Sequence, residues 1–250
     1  MKTSNILLIA AILVLLASII AFDFGIKARY NKGDFRNPYE EFIALNFKDF
    51  DSIHVNASTM ANVKFVQGPF KVQVFEDKAD IVKVTQLGRV LSIDVVKEGE
   101  NYEQVPFTLL ISCPKISLLM ADDKYYENGK FKVDTIAKLD FVNNNRIVEP
   151  SKKVLVEGFV QNSISIIQNN GSHVRLVNNR FNRINAIIGR SLKSTSFLTV
   201  DDKNVFDNAQ FDIRNNSQIF LSKATIKKLE YTLATDAKVT FSGASVNLFQ

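Results

Sequence analysis

Three groups of carboxylates have the residue types that glycan hydrolysis or cation binding would require. They are Asp122-Asp123, Asp201-Asp202 with Asp207, and Asp94. Glycoside hydrolysis uses two carboxyl groups about 5 to 9.5 Å apart across the scissile bond, and paired aspartates at a turn can supply oxygen ligands to Ca²⁺. Adjacent aspartates are more commonly solvated turn formers. We therefore assign no catalytic residue and no metal ligand.

The two histidines, His54 and His173, have no second His or Cys at a spacing typical of metal sites. No Ser-His-Asp set can be singled out from the sequence. Gly68 is followed by Pro69, which lacks the N–H group that a phosphate-binding loop would need. The sequence predicts a protein that is not an enzyme and that uses no cofactor.

A recurring pattern in the last part of the chain predicts how these residues are positioned. About every 20 to 25 residues, a polar turn is followed by a small residue and then by alternating apolar residues. A second alternating series runs between these segments. Two interleaved series with a common period are typical of a β-solenoid with one coil per repeat. The first series starts at Ser172, Ser196, Ser217 and Ala237, and the second contains Ile164-Ser-Ile, Ala186-Ile-Ile, Phe211-Asp-Ile and Tyr231-Thr-Leu.

Alignment of the first series predicts which side chains share a face. Of the outward residues, Phe197 and Phe220 are expected to lie close together. In one interpretation a loop covers them, and in the other they form an aromatic platform for a glycan or a protein, since exposed apolar patches mark contact sites. Asp202 is expected to form an ion pair with Lys223. The inward columns are Val174, Leu198, Ile219 and Val239, and Leu176, Val200, Leu221 and Phe241.

Residues 1–26 are predicted to be a signal anchor or a signal peptide. Residues 6–22 form an apolar run of about 17 residues, near the lower limit of a membrane-spanning helix. We expect an uncleaved anchor. The basic residues that follow this run conflict with export under the positive-inside rule, but we expect the rest of the chain on the periplasmic or surface side.

Three further regions follow the apolar segment. Residues 27–49 are polar and are predicted to be a linker or collar. Residues 50–250 are predicted to form the β-solenoid domain. Residues 122–150 interrupt its pattern and are therefore predicted to leave the coil as an irregular excursion. Insertions into a solenoid usually map to one face.

Composition excludes several classes of protein. The chain has 31 Lys and Arg residues against 26 Asp and Glu residues, a net charge of +5, and these charges are scattered rather than clustered as in a nucleic-acid binder. A hydrophobic content of 46% is enough for a substantial core. Cys113 is the single cysteine, so an intrachain disulfide is excluded and a buried core thiol is predicted.

Four segments carry a resemblance: Phe50-Asp-Ser-Ile-His-Val, Val63-Lys-Phe-Val-Gln-Gly-Pro with Val72-Gln-Val, Leu91-Ser-Ile-Asp-Val, and Leu109-Leu-Ile-Ser-Cys-Pro-Lys-Ile. With the alternating coils that follow, residues 50–249 resemble a bacterial family of unknown function, the putative auto-transporter adhesins with a head GIN domain. The resemblance implies an all-β fold, a right-handed parallel β-helix or β-solenoid, preceded by one N-terminal apolar helix. It implies no catalytic residue. Asp122-Asp123 departs from the family, whose coils more usually turn on Gly.

The sequence thus favours a non-enzymatic β-solenoid of the cell envelope, membrane-anchored or secreted, that serves as a binding or adhesion module. The expected partners are the membrane, through the N-terminal segment, and a glycan or protein ligand at Phe197 and Phe220. Nucleic acid is not expected. Two alternatives remain open: a carbohydrate-active enzyme, lyase or glycosidase, on a β-helix, and a structural element that self-assembles through Leu248 and Phe249.

Overall fold

The computed structural model describes residues 3–32, 41–97, 108–137, 141–142, 146–147 and 153–243. The chain divides into two units, Met1–Phe42 and Ile43–Gln250. Leu248 and Phe249, on which the self-assembly alternative depends, lie outside the described residues, as does part of the predicted excursion. The self-assembly alternative and the domain boundaries therefore stay predictions.

The first unit contains one long helix, α1, Thr3–Lys32. Its stretch Ser4–Ala28 comprises 25 residues with a mean hydropathy of 2.9. At a rise of about 1.5 Å per residue this stretch is about 37 Å long, which is enough to cross a hydrocarbon core of about 30 Å. The predicted apolar helix is confirmed. By length and composition it fits a signal anchor and a signal peptide equally well.

The second unit consists of strands. The described residues also include a short 3₁₀ helix, Glu76–Lys78. The strands are β1 Phe42–Leu45, β2 Ser52–Val55, β3 Val63–Gln67, β4 Lys71–Phe75, β5 Val82–Leu87, β6 Val90–Lys97, β7 Leu109–Cys113, β8 Leu118–Ala121, β9 Lys124–Glu127, β10 Lys130–Val133, β11 Phe141–Val142, β12 Arg146–Ile147, β13 Val154–Glu157, β14 Val160–Gln168, β15 His173–Val177, β16 Arg180–Ile188, β17 Phe197–Val200, β18 Val205–Ile213, β19 Gln218–Ser222, β20 Thr225–Leu233 and β21 Lys238–Ser242.

These strands form two large sheets and one small one. Sheet A has the order β1-β4-β7-β3-β13-β15-β17-β19-β21, and sheet B has the order β10-β9-β6-β2-β8-β14-β16-β18-β20, with β5 also paired to β6. Strands β11 and β12 pair only with each other among the described residues. From β13 onward, the chain alternates between sheet A and sheet B, and all the pairs that these strands form are parallel.

The predicted right-handed parallel β-helix or β-solenoid is wrong. The two large sheets are mixed, with antiparallel pairs β4–β7, β5–β6 and β9–β10, and they do not form a closed solenoid. Equal spacing between strands does not fix their direction. Only Gly88 and Arg89 separate β5 from β6, and only Asn128 and Gly129 separate β9 from β10. Positive φ angles at Gly88 (58°), Asn128 (50°) and Gly129 (72°) suit two-residue hairpin loops, whereas a parallel connection needs a dozen or more residues.

The predicted register of the first alternating series is confirmed. Val174 is opposite Leu198, which is opposite Ile219, and the Leu176 column continues in the same way through β17, β19 and β21. In the second series the first member is displaced by two residues, because Ile166 rather than Ile164 is opposite Ala186. Alternation therefore predicts local register well even though the overall fold class was wrong.

Inward side chains of both large sheets form one hydrophobic core. Cys113 belongs to it and is fully buried, and burial raises the pKa of its thiol to about 12. The predicted core thiol is thereby confirmed. At the corners between the sheets, buried amides replace apolar contacts: Asn179 Nδ2 donates to the Val156 carbonyl oxygen at 3.0 Å, and Asn204 Nδ2 donates to the Leu176 carbonyl oxygen at 2.8 Å. These bonds satisfy backbone groups that the turns leave unpaired.

Candidate functional site

In sheet B, the alternation of buried and exposed residues is interrupted at the same register position in two neighbouring strands, β16 and β18. Two exposed residues separate the buried Phe181 and Ile184 in β16, and a half-buried and an exposed residue separate the buried Phe206 and Ala209 in β18. Strict alternation would put one residue between them. The side chains beyond this break are therefore displaced by one position, as at a β-bulge, which bends a strand.

A cavity of about 310 Å³ opens on the outer face of sheet B, and we call its lining residues the concave site. Six of them form two rows of register partners across β16, β18 and β20. Because neighbouring strands lie about 4.8 Å apart, each row spans about 10 Å. Ala209 also lines the cavity, but its small side chain is buried in the core between the outward Asn208 and Gln210. The first row is Arg183, Asn208 and Lys228, and the second row is Asn185, Gln210 and Glu230.

The charges of the concave site are unevenly matched. Lys228 Nζ lies 2.8 Å from Glu230 Oε1. This hydrogen bond and the ammonium charge lower the pKa of the Glu230 carboxyl, so Glu230 is ionised at neutral pH. The guanidinium of Arg183 makes no hydrogen bond or ion pair within the part of the chain that the structure describes. The site thus presents one unmatched cation beside a pair that neutralises itself.

The amides of the concave site are available to a ligand. Asn185 and Gln210 make no side-chain hydrogen bond with any residue that the structure describes, and Asn208 Nδ2 donates over a long 3.4 Å to the Asn182 carbonyl oxygen. Each amide offers two N–H donors and one carbonyl acceptor. Donors and acceptors at this spacing can bind a polar ligand along its hydroxyl groups.

The concave site was not predicted from the sequence. Its residues lie on the second alternating series, whereas the predicted outward columns came from the first. A signal was present: Arg183-Ile-Asn, Asn208-Ala-Gln and Lys228-Leu-Glu each place one apolar residue between two polar ones. Laying these three segments in register would have shown two polar rows, although neither the break in alternation nor the cavity.

Phe197 and Phe220 lie close together, as predicted. Their ring centroids are 6.0 Å apart and their planes are inclined by 17°, so the rings are stacked. Both lie on the outer face of sheet A, but Phe197 is only 6% exposed and Phe220 is half-buried. Phe197 is thus shielded from solvent and Phe220 only in part, and both interpretations of the pair, a covering loop and a ligand platform, stay predictions.

His173 is buried on the same outer face. Its Nε2 lies 3.1 Å from Thr199 Oγ1, and its Nδ1 has no hydrogen-bond partner among the residues described. Burial lowers the pKa of His173 to about 3, helped by the positive charges of Lys153 and Arg175. The imidazole is therefore neutral at physiological pH and belongs to the packing of this face.

Asp122 and Asp123 are buried, which makes the predicted solvated turn wrong. Asp122 accepts hydrogen bonds from the Asn170 side chain and, at 2.8 Å, from the Asp123 N–H, and it pairs with Lys124 Nζ at 2.8 Å. Asp123 Oδ1 accepts a hydrogen bond from Thr59 Oγ1 at 2.5 Å. Asn170 and Thr59 are distant in sequence from the two aspartates, so these carboxylates connect segments that are far apart along the chain.

Asp201 and Asp202 have different surroundings. Arg175 Nε donates to Asp201 Oδ2 at 2.5 Å, while Asp202 is exposed. The predicted ion pair between Asp202 and Lys223 does not form, because the corner after β17 has four residues and the corner after β19 has two. Lys223 consequently occupies the position of Lys203, and both have φ near 60°.

The remaining candidate carboxylates are also engaged. Asp94 Oδ1 accepts a hydrogen bond from Asn56 Nδ2 at 2.9 Å, and Asp207 Oδ1 lies 2.7 Å from Lys227 Nζ. Within the described residues, no group of three or more His, Cys, Asp or Glu side chains could hold a metal ion.

Comparison with known proteins gives distant neighbours among the solved structures. No family model and no curated protein matches the chain. Among solved structures, a putative adhesin from Bacteroides fragilis matches with a TM-score of 0.40 and 14% identity over 82% of this chain and 98% of that one. A putative adhesin from Parabacteroides merdae matches with a TM-score of 0.28 and 10% identity over 80% and 95% of the two chains. A putative lipid binding protein from Parabacteroides distasonis matches with a TM-score of 0.28 and 14% identity over 80% and 96%.

Proposed function

We propose that the protein is a membrane-tethered binding module of the cell envelope that holds a glycan on the concave site and does not cleave it. One observation carries the proposal. The cavity of about 310 Å³ is lined by two rows of polar side chains, of which Arg183, Asn185 and Gln210 have no side-chain partner among the described residues. This volume is at the lower end of the range for ligand sites.

The lining favours a glycan over a protein partner. Protein interfaces depend on a few buried aromatic or aliphatic anchors at their centre, and the concave site is lined by amides, charges and the small Ala209. Amide groups can pair with hydroxyl groups in both directions, as donors and as acceptors. Helix α1 supports the tether, since Ser4–Ala28 is long and apolar enough to cross a membrane.

The absence of catalysis is part of the proposal. Hydrolysis of a glycosidic bond by the common mechanisms uses two carboxyl groups. The lining of the concave site includes one carboxylate, Glu230, and Lys228 holds it in an ion pair. The paired aspartates Asp122 and Asp123 are buried and bound to their neighbours.

A binding experiment with the full-length protein in detergent tests this function. A panel of immobilised neutral and acidic polysaccharides is offered to the wild type, to the double variant Asn208→Ala with Gln210→Ala, and to a matched control, Asn46→Ala with Gln73→Ala. The control amides lie outside sheet B. We expect the first double variant to lose affinity at least about tenfold, as removal of two ligand hydrogen bonds predicts, and the control to bind like the wild type.

Two results would contradict the proposal. If no polysaccharide binds, or if both double variants bind like the wild type, the concave site is not the glycan-binding surface. The lengths of the bound chains are followed in the same experiment. Shortening of the chains that stops on substitution of Asp201 and Asp202 would establish the enzyme alternative instead.

A further inference from the structure

We infer that the concave site recognises a sugar that carries one carboxylate, a uronate, in preference to a neutral or a multiply charged glycan. This inference rests on the proposed function, because it names the ligand class of the same site. The carboxylate would bind Arg183, and the ring hydroxyls would bind the amides of Asn185, Asn208 and Gln210.

The first argument is the charge of the site. Arg183 contributes a cation with no partner among the described residues, whereas Lys228 and Glu230 neutralise each other at 2.8 Å. A single unpaired guanidinium can be neutralised by a ligand with a single anionic group. Its planar fork can form two parallel hydrogen bonds with a carboxylate, which gives geometric selectivity as well as affinity.

The second argument is the position of Glu230. It lies in the second row on β20, and its carboxylate is ionised at neutral pH because Lys228 lowers its pKa. The Lys228–Glu230 pair has no net charge, but its negative end lies in the second row, so a second sulfate or phosphate group placed there would meet the Glu230 carboxylate and no free cation. A ligand with a single carboxylate at Arg183 keeps its charge on the first row and turns hydroxyls toward the second.

The third argument is the register. Asn208 is the direct partner of Arg183 on the next strand, and Asn185 lies two residues along the same strand and face. These positions are about 5 to 7 Å apart. One sugar ring lying across β16 and β18 could therefore reach the guanidinium and two amides together.

The experiment compares two ligands that differ by one methyl group, which removes the charge. Dissociation constants of the full-length protein in detergent are measured for an oligosaccharide that carries a single glucuronate and for the same oligomer with that carboxylate methyl-esterified. We expect the acid to bind about tenfold more tightly than the ester, because hydrogen bonds to a charged group are about twice as strong as neutral ones. Arg183→Gln should remove this preference, and Arg183→Lys should retain only part of it.

Arg190→Gln is the matched control. Arg190 is exposed two residues beyond the end of β16, and it does not line the concave site. We expect it to keep the full preference for the acid. Thermal unfolding of each variant is measured alongside, and both Arg→Gln variants should unfold at the wild-type temperature because the two side chains are exposed.

Three results would overturn the inference. If wild type binds acid and ester equally and the Asn208→Ala, Gln210→Ala variant binds neither, the site takes neutral glycans and the proposed function survives. If the preference persists in Arg183→Gln, the charge is recognised elsewhere. If neither oligomer binds, uronates are not the ligand, and the polysaccharide panel decides separately whether the proposed function stands.

Discussion

The outer faces of the two large sheets differ between β17 in sheet A and β16 and β18 in sheet B. In sheet A, every residue of β17 is buried, including the outward Phe197 and Thr199, and His173 on β15 is 1% exposed. In sheet B, the outward residues of β16 and β18 include the exposed Arg183 and Asn208, while their inward neighbours are buried. Both sheets supply the same core, so the difference lies entirely on the outside.

This difference in burial suggests separate roles for the two faces, one in stability and the other in recognition. A strand that is buried on both faces packs its outward side chains as a second core, so substitutions there should reduce the free energy of unfolding. Exposed polar side chains contribute little to stability and are free to contact a ligand. The outer face of sheet A at β17 should therefore contribute to folding stability, and the outer face of sheet B at β16 and β18 should contribute to binding.

The largest effect is expected for Phe197→Ala. Removal of a buried phenyl ring that stacks on Phe220 should lower the free energy of unfolding by about 3 to 5 kcal/mol. Gln210→Ala on the open face should change it by less than about 0.5 kcal/mol. Urea unfolding followed by circular dichroism measures both. Equal effects would mean that the outer face of sheet A is not a packed layer.

Local pairing could be predicted from the sequence, but the two outer faces could not be distinguished. Alternation alone placed Val174 opposite Leu198 and brought Phe197 close to Phe220. The same alternation does not report strand direction, so the hairpin at Gly88 was mistaken for part of a coil. Nor does it report which outward residues become covered, because burial depends on segments distant in sequence. The concave site was missed for that reason.

The next prediction concerns pH and the covered face. The pKa of His173 is lowered to about 3 in the folded state, against about 6.5 in an unfolded chain. Between these values the unfolded state binds more protons, so stability should fall as pH falls through this window and be fully present above it. The limiting slope is about 1.4 kcal/mol per pH unit.

His173→Gln isolates this contribution. Urea unfolding of wild type and variant is measured between pH 7 and pH 4, where other titrating groups affect both proteins alike. We expect the variant to lose less stability than the wild type on acidification. Parallel pH profiles would show that His173 becomes protonated without cost in the folded protein, which would mean that water reaches this face.

The smallest change in stability is expected for Thr199→Val, with Thr232→Val as its comparison. Thr199 on the covered face bonds to His173, whereas Thr232 on β20 is exposed. Thr199→Val keeps the shape of the side chain but leaves His173 Nε2 without its partner, and a buried polar group left unpaired costs about 1 to 2 kcal/mol. Thr232→Val should change stability by less than about 0.5 kcal/mol. If the two substitutions proved equal, the hydrogen bond would not contribute, and the stability of the covered face would come from the stacked rings alone.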